Sequence, residues 1–184
     1  VRYPKEVVLK NGREAVIRPL AKGDEERLRQ FYASFSEDDR WYMRYDVSSP
    51  AVIQNWIDGG ERGDVFSIVA VTEERIAAHA RLHLRQAGCF RHMGRLRIMV
   101  LPEYRHQRMG TWMLLDLIQL AMDKGLRELR ADFVVGIEDV AIDTAYKLDF
   151  FKKAVLEDFV RTPRGKPHDL LIMIKSLHKD WGDF

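Results

Sequence analysis

The stretch Arg95–Leu115, RLRIMVLPEYRHQRMGTWMLL, decides the fold. Arg95–Val100 reads as a strand. Pro102-Glu103-Tyr104 then leads into a basic turn, Arg105-His106-Gln107-Arg108-Met109-Gly110, and a helix opens at once, running from Thr111 to about Lys124. Leu114, Leu117, Ile118, Ala121 and Met122 fall at i, i+3, i+4, i+7 and i+8, which gathers them on one helix face. Gly125 stands where a C-cap glycine belongs. The start of such a helix exposes unsatisfied N–H groups and the positive end of the helix dipole, which suits an anion. Arg105 and Arg108 add charge, and Gly110 permits a close backbone approach. The physical chemistry of this strand–turn–helix points to a phosphate or carboxylate site. A solvated basic loop before an ordinary helix is the competing reading.

Outward from that stretch, the N-terminal side holds two strand candidates, Val7–Leu9 and Ala15–Ile17, around Asn11-Gly12, a dipeptide suited to a hairpin. Gly23-Asp24 opens a helix with Leu28, Phe31, Tyr32 and Phe35 on its apolar side, and Ser36–Ser49 shows no clean period. Ser49-Pro50 starts a second helix, with Val52, Ile53, Trp56 and Ile57 on one face and Gly59-Gly60 as its end. Val65–Val71 and Arg75–Leu84 read as strands joined at Glu73-Glu74. On the C-terminal side, Leu129–Val135 reads as a buried strand and Val140–Leu148 as a helix. Phe151–Leu156 and Leu170–Ile174 read as strands flanking a loop at Arg161–Pro167. The polar tail Lys179–Phe184, apart from Trp181 and Phe184, is expected to fray. Several strands follow one another directly, so the expected class is α/β (α+β): a mixed, mostly antiparallel central sheet with helices on both faces.

Composition narrows the function classes. At 184 residues the chain is expected to form a single domain over 1–184, with a core of about 15–177, long enough to bury one sizeable core. A net charge of +2 from 30 basic and 28 acidic residues selects neither nucleic acid nor membrane. The Arg-rich turn is short and has no stacking motif of the RNA-binding kinds beside it, which argues against a nucleic-acid binder. One cysteine, Cys89, forms no internal disulfide, a pattern of reducing compartments, so a cytoplasmic location is expected. No apolar run approaches a membrane span, and Val1–Lys10 has no signal-peptide core. A chain that opens on Val1 is expected to be trimmed or cut from something longer. No metal is expected.

The turn resembles the cofactor-binding motif of the GNAT N-acetyltransferase superfamily, Arg/Gln-x-x-Gly-x-Gly/Ala after a strand. Arg105 matches its first position and Gly110 its last, while Arg108 replaces the middle glycine. Arg75-Ile76-Ala77-Ala78-His79-Ala80-Arg81-Leu82 resembles the family's third strand. Val140–Phe151, Ala154-Val155-Leu156 and Gly165-Lys166-Pro167-His168-Asp169-Leu170 resemble its C-terminal helix and hairpin. Ile17-Arg18-Pro19-Leu20 and Phe31–Arg44 are similar to bacterial members of the protein-lysine acetyltransferase type.

The resemblance implies direct transfer of an acetyl group from acetyl-CoA, or another acyl-CoA, to a primary amine, either a small molecule or a protein lysine. Two parallel strands are expected to splay at the cofactor, here Ile98, Met99 and Val100 against Phe133–Val135. The pyrophosphate is expected on N–H groups of His106, Gln107, Arg108, Met109, Gly110 and Thr111, beside Arg105. Glu138 takes the place of the helix-start asparagine. The chain departs from the family at both chemical positions: Arg95 stands where a catalytic Glu is common, and Ala145 where a Tyr is common, with Tyr146 one residue further on. Candidate substitutes are Tyr146 as acid, and as base Glu37, with Asp38 and Asp39 beside it, or His83, with His79 and His92 as alternatives. An acyl-CoA-binding module without catalysis is the second reading, motivated by Arg95, Ala145 and Arg108. The loop Arg40–Tyr45 is suited to walling an acceptor site, to helix packing or to contact in a homodimer. Cys89 has no activating partner in sequence, and His168-Asp169 has no nucleophile with it.

Overall fold

The computed structural model of the protein describes residues 2–177; the tail 179–184, expected to fray, lies outside the described residues. Eight strands form one sheet in the order β1-β2-β3-β4-β5-β6-β8-β7. In chain order they are β1 (Lys5–Val8), β2 (Glu14–Pro19), β3 (Val65–Thr72), β4 (Arg75–His83), β5 (Met93–Val100), β6 (Glu128–Val134), β7 (Phe151–Arg161) and β8 (Pro167–Ser176). The helices are α1 (Glu25–Ala33), α2 (Glu37–Trp41), α3 (Pro50–Arg62), α4 (Met109–Asp123) and α5 (Asp139–Lys147).

Every neighbouring pair is antiparallel except β5 with β6. A parallel neighbour needs a crossover, and α4 supplies it. The parallel ladder is short: Met93–Arg95 pair with Glu128–Arg130, and beyond them the strands part. The mixed, mostly antiparallel sheet expected from sequence is the one observed.

β4 is buried along nearly its whole length, as a strand covered on both faces must be. Strand alternation puts His79, Arg81 and His83 on one face. That is the α1 side, because the Tyr32 hydroxyl meets His79 Nδ1 at 2.7 Å. The opposite face belongs to α4. There Gly94 is required by crowding: a Cβ would come within 2.7 Å of Leu82 and 2.8 Å of Leu126.

Four local readings are corrected. Ser36–Ser49 contains α2, a five-residue helix whose N-cap Ser36 accepts from Asp39 N–H at 3.1 Å; a single turn is too short to display a period. The second helix does not stop at Gly59-Gly60 but runs to Arg62, and Gly63 closes it at φ +80°. Gly59 is there for contact, since a Cβ would lie 2.7 Å from Val65 Cβ. β7 reaches Arg161 and β8 begins at Pro167, so the loop shrinks to residues 162–166. β7 is a solvent-facing edge strand with register shifts, and it carries Lys152, Lys153, Glu157 and Asp158, so it lacks the apolar run that marks a buried strand. α4 opens at Met109, two residues before Thr111.

Candidate active site

The strand–turn–helix builds the first half of the site. Pro102–Tyr104 forms one 3-10 turn, and then His106 at φ +61° and Arg108 at φ +67° bend the chain sharply into α4. Arg108 is the N-cap of α4 in the left-handed region, where a side chain with a Cβ is strained. The N–H groups of His106, Gln107, Arg108, Met109, Gly110 and Thr111 have no acceptor among the described residues; the first of the helix's own bonds runs from Trp112 to Arg108 C=O. Unsatisfied donors at a helix start attract an anion. A Cβ on Gly110 would meet only Val100 Cγ2, at 3.8 Å; the open side of Gly110 therefore faces away from the protein's own atoms. Arg105, exposed at the turn, is engaged by the protein itself: its Nε donates to Val100 C=O at 3.2 Å, and its Nη2 lies 3.9 Å from Asp39. Met109 contributes backbone alone, because its side chain is buried in the core.

The parted strands build the second half. Leu101 N–H bonds back to Ala77 C=O on β4; alternation then turns the backbone groups of Ile98 and Val100 toward the gap, with Met99 turned to β4. Across the gap, Val134 N–H is already taken by Glu138 Oε2 at 2.8 Å. The other oxygen of Glu138, Oε1, holds Arg97 at 2.6 Å, and Arg44 approaches Oε2 at 3.4 Å. The open edge in the gap is therefore that of β5, apart from Val100 C=O, which Arg105 holds.

On the α1 side of this gap the sheet is cationic. Arg81 pairs with Arg97, and His83 with Arg95, in the β4–β5 register; Arg95 pairs with Arg130 across to β6. A cavity of about 40 Å³ is lined by Arg44, Tyr45, Arg81, His83, Arg95 and Asp132, among others. Asp132 is held by Arg130 through two bonds of 2.7 and 2.9 Å. Arg81 lies 3.9 Å above the Trp56 ring and 5.2 Å from Tyr45.

The catalytic candidates separate. His83 lines the cavity, stacked on Tyr45 at 5.8 Å. Burial, with Arg81 and Arg95 beside it, pushes its imidazole down to about 4, so it is neutral at pH 7 and a weak base. His79 is fully buried on Tyr32 and held well below the usual histidine range by that burial. His92 lies 3.5 Å from Glu128, at the other end of β5. Glu37 is exposed in the first turn of α2, whose Asp39 reaches toward Arg105 and whose Trp41 Nε1 donates to Arg161 C=O at 2.7 Å. Tyr146 is 47% exposed, whereas its neighbour Ala145 is buried; one residue turns a helix by about 100°, so Tyr146 faces outward.

Arg44 and Tyr45 come from the loop read as a possible acceptor wall, whereas Arg81, Arg97 and Asp132 were not singled out from the sequence. A signal was present for most of them: His79-x-Arg81-x-His83 and Arg95-x-Arg97 place polar groups at period two in strands that are otherwise apolar.

This geometry, a splayed parallel pair leading to a donor-lined helix start, is that of acyl-CoA transferases, and the chain belongs to the acetyltransferase (GNAT) family, which it matches over residues 24–150. The family's chemistry is acetyl-CoA-dependent N-acetyl transfer. No curated protein matches the chain. An acetyltransferase of the GNAT family from Streptococcus pneumoniae superposes with a TM-score of 0.78 at 20% identity, covering 89% of this chain and 99% of that one. The GNAT domain of S. lividans PAT gives 0.75 at 18% identity over 94% and 96%. YncA, a putative acetyltransferase from Salmonella typhimurium solved with its cofactor acetyl-CoA, gives 0.74 at 18% over 91% and 96%. At these identities the likeness is one of fold. Among the described residues no helix is long and apolar enough to cross a membrane.

Proposed function

We propose that the chain transfers the acetyl group of acetyl-CoA directly to a primary amine, with both substrates held in the gap between β5 and β6. The row of N–H groups from His106 to Thr111 without acceptors carries this reading. Those donors would hold the cofactor's pyrophosphate, and the gap-facing backbone of Ile98, with the N–H of Val100, would pair with its pantetheine arm. The thioester supplies the acetyl group. The chain's part is to align the amine with it and to exclude water, which accounts for much of the acceleration in a two-substrate transfer. The neutral amine attacks the thioester carbonyl, the C–N bond forms as the C–S bond breaks, and the proton the amine sheds ends on the departing sulfur, releasing CoA as its thiol. His83 lines the cavity on the α1 side of this gap, beside Arg95.

The acceptor suggested by the sequence resemblance, a protein lysine, suits this wall poorly. It would bring a cation among Arg44, Arg81, Arg95 and Arg97, and like charges in a partly dry site repel. Calorimetric titration with acetyl-CoA, followed by thiol release with an amine panel, tests the proposal. Binding together with amine-dependent thiol release is expected; binding without release for any amine would refute it.

A further inference from the structure

Arg81 is 3% exposed, yet no carboxylate lies within ion-pair distance of it among the described residues, and its Nη1 is buried without a hydrogen-bond partner. Trp56 and Tyr45 offer ring faces. Ring faces attract the charge but accept no in-plane N–H. A buried guanidinium left in this state is costly, and chains retain one where something else completes it. The nearby acids are committed elsewhere: Asp132 to Arg130, and Glu138 to Arg97 and Arg44. Arg95, diagonal to Arg81 on the next strand, also has no acid partner among the described residues. Two cations without counter-charges thus line a cavity of about 40 Å³, room for two or three waters or for one carboxylate.

We propose that this cavity takes the carboxylate of the acetyl acceptor, so that the acceptor is a small amino acid-like amine, held by Arg81 and Arg95. Guanidinium forks match a planar carboxylate with paired hydrogen bonds. The strand advances about 3.3 Å per residue, which places a carboxylate at Arg95 a few ångströms from Leu96, the first β5 residue beyond the ladder with β6. An α-amino group lies that close to its own carboxylate. The inference rests on the transfer reading above, because it takes the anion to be part of the acceptor.

The twenty protein L-amino acids, each against its own α-amide, provide the test. Binding is read by calorimetry without acetyl-CoA, and thiol release is read separately. At least one acid is expected to bind more tightly than its amide by about ten- to a hundredfold, the span of one or two charge-assisted hydrogen bonds. Arg95→Ala, at an exposed position, should cut that preference by about tenfold. Arg81→Met should abolish it and also raise the thermal midpoint of the ligand-free protein, since an apolar side chain relieves an unpaired buried charge. A lower midpoint in Arg81→Met with the preference intact would show a purely structural arginine and overturn the proposal. Acids that bind no better than their amides would overturn it as well, leaving the transfer reading standing if thiol release is seen. Acid-selective binding without thiol release for any amine would leave this site standing and remove the transfer reading.

Discussion

Arg97 and Glu138 meet at 2.6 Å across the gap where β5 and β6 part. The same carboxylate caps Val134 N–H at 2.8 Å, so one side chain ties both lips of the splay. Both partners are mostly buried, with side chains 13% and 16% exposed. Glu138→Ala strands Arg97 and Val134 N–H together. A loss of about 3 kcal/mol is expected, as for other broken buried pairs, and the thermal midpoint should fall by roughly 6–12 °C for a chain of this size. A midpoint unchanged from wild type would remove the clamp from the account.

Gly110 tests the cradle. Its Cβ position is clear of the protein's own backbone, with Val100 Cγ2 at 3.8 Å, and a carboxylate in the first turn of α4 complements the helix dipole. Gly110→Asp should therefore fold normally while placing negative charge where the pyrophosphate is proposed to sit. Calorimetry is expected to show acetyl-CoA affinity reduced at least about a hundredfold, equivalent to losing one or two charge-assisted contacts. Affinity within error of wild type would move the pyrophosphate elsewhere.

Arg108 separates backbone from guanidinium. It sits at φ +67° as the N-cap of α4, a conformation glycine adopts without penalty. Arg108→Gly should raise stability by up to about 1 kcal/mol by relieving that strain, less whatever glycine adds to unfolded-chain freedom. If the N–H groups hold the anion, acetyl-CoA affinity in this variant changes little. A drop of tenfold or more in calorimetry would assign the holding to the Arg108 guanidinium instead.

His83 sets a pH dependence. Its imidazole titrates near 4 in the folded chain, against an ordinary 6.5. The unfolded chain therefore takes up this proton first. Its contribution is fully present above about pH 6.5 and is lost as pH falls toward 4. His79, depressed in the same direction, adds to the effect. His83→Gln should flatten the decline in denaturant midpoint between pH 6.5 and 4.5; an unaltered slope would show that other groups carry it.

Tyr146, outward-facing on α5, is expected to be dispensable. Tyr146→Phe should keep thiol release far above the roughly hundredfold loss that follows removal of a general acid. A loss of that size would place the phenol in the chemistry despite its exposure.

Local pattern and long-range pairing divided the work of specifying this protein. Arg95–Leu115 announced its strand, basic turn and helix because each is written in neighbouring residues: an apolar run, a proline, a glycine and an i, i+3, i+4 stripe. The hairpin at Glu73-Glu74 was legible for the same reason. α2, at five residues, carries no such period and was missed, and β7, an exposed edge with charged residues and register shifts, was read as a strand only as far as Leu156. Which charges of the cationic wall meet a partner was decided by the tertiary structure. Arg44, Arg81, Arg97 and Glu138 are far apart in the chain, and only the β4–β5 register and the parting of β5 from β6 bring them together. Sequence spacing reports which face a side chain takes; whether its charge finds a partner there depends on which strand lies alongside, and that is settled by the packing of the whole sheet.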